Sequence, residues 1–546
     1  MFPLPSQVHF IWQTFIERID PLVKVLHVPS TTRVLEGCRG QIRTLCPDMQ
    51  SLFACISFAA IQSMSDDDVL LNFGTDKVSL SSRYRRGAEQ ALSNADVINT
   101  TNLAPVQALT IYLNVLHADE PFRHVWAVIG ILVRVALSLG LHRDGKFFKN
   151  ISPFDAEMRR RLWWNVAILD ARVGETQVSI AVICQAMFTT EAPANVDDAD
   201  IHPGMTAPAV SRRGPTDVSI LLGRCKIWRF GRALKGLSLD TAVIKGEVDG
   251  RQIYERKLEI TRKFKKDMVE EYAATFHGDA GASAFIWAII DVLTDRIELM
   301  AHYQFSLVEK QGSSFPHEAF RVALSIVERF HRIENDPDMA KWSWAAKGSV
   351  QWQAIGIILS HLCDVPWDEE SEKAWQLIDY SFQDMVKAVT KEPLWKPFRR
   401  LFLRAKACRK RFSQIQNQDQ TNQNQTQKTR DKGAVDTGQE GEWSGLVSRS
   451  AYSTTQSTYS TTVDVQGTIA GGTNGNEQRT DTTCISSAHS FQVINEDMGI
   501  GVTSLANGDN ECGMAIDGSD IGPMDTNDWQ QWNDWLQEGF WSFSGI

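Results

Sequence analysis

The sequence predicts an all-α fold: a large multi-helix domain followed by a disordered C-terminal tail. Three observations carry that expectation. Apolar residues recur at helical spacing in segment after segment up to about residue 412. Short loop signals separate those segments, and no convincing run of alternating strand residues occurs. At Ser413 the composition changes abruptly to SQIQNQDQTNQNQTQ, which has too little apolar surface to offset the entropy of ordering.

The first helix is expected over about Gln7 to Ile19, with Phe10, Ile11, Phe15 and Ile19 near one face, until Asp20-Pro21 breaks it. A second, about Met49 to Met64, is apolar through Phe53, Ile56, Phe58, Ala60 and Ile61. A third follows Ser81-Ser82 and holds Tyr84, Ala88, Ala91 and Leu92. Leu103-Ala104-Pro105 then introduces a helix through Leu109, Tyr112, Leu113 and Leu116.

The stretch from Ala118 to Arg172 is the expected centre of the core, two helices joined by a short charged turn. In the first helix Asp119 and Pro121 stand where an N-cap and an early proline belong. Val125, Trp126, Val128, Ile129, Leu132, Val135, Ala136 and Leu139 recur at helical spacing, and Gly140 is a natural stop. The second opens at Ser152-Pro153-Phe154-Asp155, a capping-box-like start. Asp155 and Glu157 each have an arginine four residues on, Arg159 and Arg161, and they suit the positive end of the helix dipole. From Leu162 to Leu169 only Asn165 is polar, so this helix should be buried nearly all round.

Pro193 to Asp217 reads as loop. Helical pattern resumes from about Val218, in segments near 253–276, 284–311, 318–335, 349–362, 370–389 and 397–412. The expected division is therefore 1–412 as the helical domain, 413–527 as a Gln/Asn/Ser/Thr-rich linker, and 528–546 as a distinct end. On a helical wheel Trp529, Trp532, Leu536, Phe540 and Phe543 fall on one narrow face, with Asp534 and Glu538 well away from it.

Charge is uneven. Of 66 acidic and 56 basic residues, 18 acidic and 5 basic lie from Ser413 onward, a balance of −13; the remaining 48 and 51 give +3. A near-neutral globule with an acidic tail is not the profile of a nucleic-acid-binding domain. The apolar runs, such as Ala280 to Ile290, are too short to span a bilayer, and no secretory leader pattern appears, so an intracellular protein without membrane contact is expected.

No enzyme constellation emerges. His142-Arg143-Asp144 matches the first letters of a kinase catalytic loop, but Asn150 is one residue too distant and no glycine-rich loop accompanies it. H-E-x-x-H, G-x-S-x-G and Walker-A patterns are lacking. The nine cysteines are scattered, without a C-x2-C-x6-C half-site. No cofactor or metal site is expected in this chain, and Cys38 and Cys46 read as small buried hydrophobes.

Leu139-Gly140-Leu141-His142-Arg143-Asp144, then Glu157 followed by Arg159-Arg160-Arg161-Leu162-Trp163-Trp164, then Asp170, then Asn195-Val196-Asp197-Asp198 form an ordered set. This set resembles the fungal-specific transcription factor domain, the middle regulatory region of zinc-binuclear-cluster activators. The resemblance covers about residues 7 to 412, and Phe15 to Ser30 and Pro393 to Ala407 look like its opening and closing helices. It implies a nuclear regulator of RNA polymerase II transcription, with metabolic and secondary-metabolite pathways as common assignments. It implies coactivators and the transcription machinery as partners, and a homo- or heterodimer partner. Its zinc and its DNA contact would need six cysteine thiolates that this sequence does not supply. They would come from a cluster encoded upstream of Met1 or from a DNA-bound partner.

Within that frame His142, Arg143, Asp144, Glu157, Arg159, Arg160, Arg161, Trp163, Trp164 and Asp170 are the structural motif. Three consecutive arginines point about 100° apart and cannot form one basic stripe. Their expected roles are an ion pair with Glu157 or Asp155 and contacts to helix ends or carboxylates. Arg404, Lys406, Arg409, Lys410 and Arg411 read either as the solvated face of a last helix or as a nuclear-localisation signal. The terminal aromatic segment reads either as a helix docking on the globule or as an activation segment that enters a coactivator groove. An intracellular helical module binding a small molecule or a protein, with no transcriptional role, is the alternative.

Overall fold

The computed structural model describes residues 2–116, 122–176, 181–236, 250–273, 280–309, 316–346, 351–389 and 398–414. All of them belong to one of the two compact units into which the chain divides. Among them the regular structure is helical throughout, with no strand.

Helices α1 (Pro5–Arg18), α2 (Val28–Gly37), α3 (Pro47–Ser63), α4 (Asp66–Phe73), α5 (Lys77–Asn94) and α6 (Leu103–Leu116) form the amino-terminal half. The α3 helix packs against α1, α5 and α6, which explains why twelve of its seventeen residues are buried. Three helix starts are local chemistry. Proline opens α3, the Ser65 hydroxyl accepts from the Asp68 amide at the start of α4, and the Asp76 carboxylate accepts from the Ser79 amide of α5.

The central hairpin follows as α7 (Phe122–Ser138) and α8 (Pro153–Thr176). Gly140 closes α7 with φ +72°, the left-handed conformation that favours glycine at a helix end. The Ser152 hydroxyl and the Asp155 amide and carboxylate make the predicted reciprocal start of α8, at 3.1 and 2.7 Å. Every side chain from Leu162 to Leu169, Asn165 included, is buried. Asp119 and Pro121 lie outside the described residues.

After the 193–217 loop, α9 (Ser219–Gly236) packs on α8 and on the long helix Ala280–Glu309. Gly250–Ala273, Ala280–Glu309, His317–Asn335 and Trp352–Asp364 pack in succession, and Glu369–Val389 and 398–414 follow. The main apolar cluster runs from Val8 to Ala405, and a small second one holds Phe154, Met158, Val196 and Ile201. The indole N–H groups of Trp342 and Trp344 donate to the Glu17 and Arg18 carbonyls at 3.2 and 3.1 Å, so the carboxy half caps the open end of α1.

Several sequence expectations are corrected. Phe15 to Ser30 is not one helix: α1 ends at Arg18, a turn segment follows, and α2 begins at Val28. Two short helices, α2 and α4, stand where none was expected. Phe10 is 39% exposed and Trp126 46% exposed, because the neighbours pack on the Val8–Trp12 side of α1 and the Val125–Ile129 side of α7. Cys38 is only partly covered and Cys46 is exposed, since both sit in the connections that end α2 and begin α3 rather than on a packed face.

Candidate functional site, a buried ion-pair hub

Helix α8 enters the core carrying charge. Its first turns present Glu157, Arg159, Arg160 and Arg161, and the three arginines take three different directions, as the 100° spacing requires. The Arg159 guanidinium donates to the Leu139 carbonyl at 3.0 Å and so caps the end of α7. Its expected pair with Asp155 is not among the described ion pairs, because Asp155 is turned to the Ser152 cap instead.

Arg160 forms a two-pronged pair with Asp144, Nε to Oδ2 at 2.8 Å and Nη2 to Oδ1 at 2.9 Å. The fully buried Asp144 carboxylate also accepts the amides of Lys146 and Glu191, at 3.0 and 2.9 Å. Burial would raise the Asp144 pKa, but the Arg160 hydrogen bonds and these amides outweigh it and hold it below the usual carboxylate range. Around this carboxylate the 141–146 turn is zipped to 188–191. The Thr189 amide donates to the His142 carbonyl, the Thr190 hydroxyl to the Leu141 carbonyl, and the Trp164 indole to the Glu191 carbonyl. Gly145 lies so close to α8 that an added Cβ would stand 2.7 Å from the Ala156 Cβ. That explains the glycine after Asp144. Arg143 is exposed, with its guanidinium 5.1 Å from the Phe148 ring, and His142 sits 6.3 Å from the Trp163 ring.

Arg161 is buried completely. It donates to Asp198 Oδ1 at 2.6 Å and to Glu157 Oε1 at 3.3 Å. The other Asp198 oxygen accepts from Lys24 Nζ at 2.8 Å and from the Val28 amide at 2.8 Å. Lys24, 2% exposed, also reaches Asp20 at 2.5 Å. The hub is finished by polar groups: Asn165 donates to the Lys24 and Arg161 carbonyls, His27 meets the Asp198 carbonyl at 2.8 Å, and the Ala194 amide donates to Glu157. Three chain segments far apart in sequence thereby converge on one point: 20–28, the start of α8 and 194–198.

Asp20, Glu157 and Asp198 face Lys24 and Arg161 in this hub, and Glu157 also has Arg160 at 3.8 Å. Asp20 is the least satisfied of the three: its Oδ1 has no hydrogen-bond partner among the described residues. Burial pushes its pKa up to about 6 against the pull of Lys24. Asp198 behaves oppositely: burial is outweighed by Lys24 and Arg161, and its pKa is held low.

Trp163 and Trp164 are core residues at 0% exposure, Trp164 edge-on to Phe188 and Trp228 at 5.4 and 5.5 Å. Asp170 accepts the Ile183 amide at 2.8 Å, and burial raises its pKa. Of the basic residues near the end of the domain, Arg409 is tied to Glu372 at 2.5 and 3.0 Å, and Arg404 comes within 3.9 Å of Asp364. Lys406, Lys410 and Arg411 are exposed. Trp529, Trp532, Leu536, Phe540 and Phe543 lie outside the described residues.

Sequence reasoning named Asp20 as a helix breaker and Asn165 as the one polar residue of a buried run, Lys24 and His27 only within the Phe15–Ser30 stretch, and none of the four as a site residue. A lysine inside the apolar run PLVKVLHV was the signal available, since a cation there needs a buried partner. The described cysteines are free, and no group of three metal-binding side chains occurs among the described residues. These residues do not fit a zinc cluster. No described helix is long and apolar enough to cross a membrane.

Residues 12–175 match the fungal specific transcription factor domain, which covers α8 and most of the amino-terminal half. The chain is 24% identical over 400 residues to the aurofusarin cluster transcription factor aurR2 of Gibberella zeae, covering 72% of this chain and 59% of that protein. It is 31% identical over 229 residues to the pyriculol/pyriculariol biosynthesis cluster transcription factor 1 of Pyricularia oryzae, covering 42% of this chain and 30% of that protein. With the transcriptional regulator AacuB of Aspergillus aculeatus it shares 23% identity over 426 residues, 75% of this chain and 56% of the other. The chain thus spans between 30% and 59% of the length of these curated relatives.

Proposed function

We propose that this chain is the regulatory and activating part of a fungal transcription regulator, acting in the nucleus on a secondary-metabolite gene cluster. The observation that carries the reading is the domain match over 12–175, joined to relatives that are named as transcription factors of biosynthesis clusters. The role is regulatory, not catalytic.

In this reading residues 1–412 form the regulatory domain and the motif from His142 to Asp170 is its internal frame. The arginines of α8 are spent on Leu139, Asp144, Glu157 and Asp198, which supports bracing over contact with nucleic acid. DNA contact and zinc come from a cluster encoded upstream of Met1 or from a DNA-bound dimer partner. Lys406, Lys410 and Arg411 present the nuclear-localisation signal, with Arg404 and Arg409 completing it. The 413–527 linker carries the 528–546 segment, whose aromatic face recruits a coactivator while its acidic residues keep it in water.

The test is a fusion of residues 413–546 to an unrelated DNA-binding domain, assayed on a reporter. Activation that is lost when Trp529, Trp532, Phe540 and Phe543 become alanine is expected. A silent fusion removes the activation role.

A further inference from the structure

The 193–195 segment, the turn 211–216 and the first turns of α9 enclose an open cleft of about 690 Å³. That volume lies in the range of small-molecule sites, roughly 300–1,000 Å³. It lies beyond the 12–175 segment that matches the family domain.

The lining is cationic. Arg212, Arg213 and Lys226 face it, against the single carboxylate of Glu271. Arg212 is held by Asp197, and Lys226 reaches Glu271. Arg213 is exposed and enters no ion pair among the described residues. The wall that carries it is rigid. The Asn195 amide donates to the Arg212 and Gly214 carbonyls at 2.7 and 3.0 Å and accepts the Thr216 hydroxyl at 2.7 Å, while the Arg212 amide donates to the Asn195 carbonyl. A turn pinned by four such bonds presents Arg213 at the rim in one place. Ser219, at the amino end of the eighteen-residue α9, adds the positive end of a helix dipole on the same side. Leu222, half-buried, supplies an apolar surface, while Pro193 is buried.

We propose that this cleft binds a small organic anion, an aromatic or alicyclic carboxylate. Its carboxylate sits between Arg213 and the start of α9, competing with Glu271 for Lys226, and its ring lies on Leu222. The cleft adjoins the hub. Asp217, between the cleft wall and α9, accepts the Asp198 amide at 2.8 Å, and its own amide donates to Asp197 at 3.0 Å. Occupancy would therefore stiffen the loop that supplies Asp198 to Lys24 and Arg161. The inference rests on the cleft alone and not on a transcriptional role.

The experiment is calorimetric titration of the full chain with 2-naphthoate at millimolar concentrations, beside the neutral 2-naphthamide. The acid is expected to bind and the amide not. Arg213→Ala, a change of one exposed side chain, should weaken the acid roughly tenfold. Glu271→Gln removes the one opposing charge and should tighten it several-fold. Equal binding of acid and amide, no binding of the acid, or variants that leave its affinity unmoved would overturn the proposal.

Discussion

Arg161 and Asp198 meet at 2.6 Å, with neither side chain more than 5% exposed, across a sequence separation of 37 residues. That contact fastens the centre of the domain to a loop that has no regular structure of its own beyond one short 3-10 turn, Asp198–Asp200. Since Asp198 also pairs with Lys24, removing it takes a carboxylate from two buried cations at once, leaving Lys24 with Asp20 alone and Arg161 with Glu157 alone. Asp198→Ala should cost about 3–5 kcal/mol, the usual penalty for breaking a buried pair from one side. Equilibrium urea unfolding of the two proteins measures it, and a change near zero would mean the hub is open to water.

The three arginines should grade by what each one serves. Arg161→Met should match Asp198→Ala at about 3–5 kcal/mol, because Glu157 and Asp198 are left buried. Arg160→Met strips Asp144 of two of its four hydrogen bonds and should rank next. Arg159→Met removes one bond to a carbonyl, a loss of about 1 kcal/mol. Thermal unfolding of the three variants gives the order. A flat series would contradict the separate roles assigned here.

Spacing along α8 made part of this legible. Glu157 and Arg161 are one helical turn apart, so their pair could be expected from sequence, whereas Lys24 is 174 residues from Asp198 and no local rule joins them. The buried run Leu162–Leu169 was readable because nearly every position is apolar. Phe10 and Trp126 were misplaced for the complementary reason: a wheel shows that a face is apolar, not where the neighbouring helices stop. The Ser65–Asp68 box that starts α4 was present in the letters, but an eight-residue helix with Leu70 and Leu71 exposed gives little apolar periodicity to accompany it.

Asp20 gives the hub a pH dependence. A carboxyl whose folded pKa is raised holds its proton more tightly in the native state. The stability it contributes is fully present below its unfolded value of 3.8 and is lost as pH rises through about 6. Asp20→Asn stays neutral. The wild type should therefore lose stability relative to this variant as pH rises from about 4 to about 7. Urea midpoints across that range supply the test. A difference that does not change with pH would mean that folding leaves the Asp20 carboxyl at its unfolded pKa. Asp144 and Asp198 have depressed values and act in the opposite sense: their contribution stands above the unfolded value and is lost only as pH falls below it.

Gly145 is required by distance rather than by backbone conformation. Gly145→Ala would drive a methyl into Ala156, part of the first turn of α8, and should cost about 1–3 kcal/mol as overpacking does. Hydrogen exchange at the Glu191 amide, which rests on Asp144, should rise in this variant. Unchanged exchange there would mean the 141–146 turn moves independently of 188–191.

The claim of transcriptional control is met most directly by transcript profiling of the fungus with and without this gene. The account predicts that a contiguous set of biosynthetic genes loses expression in the deletion and regains it when the chain is restored. Transcripts that stay unchanged across the genome, under conditions in which the protein accumulates, would contradict it.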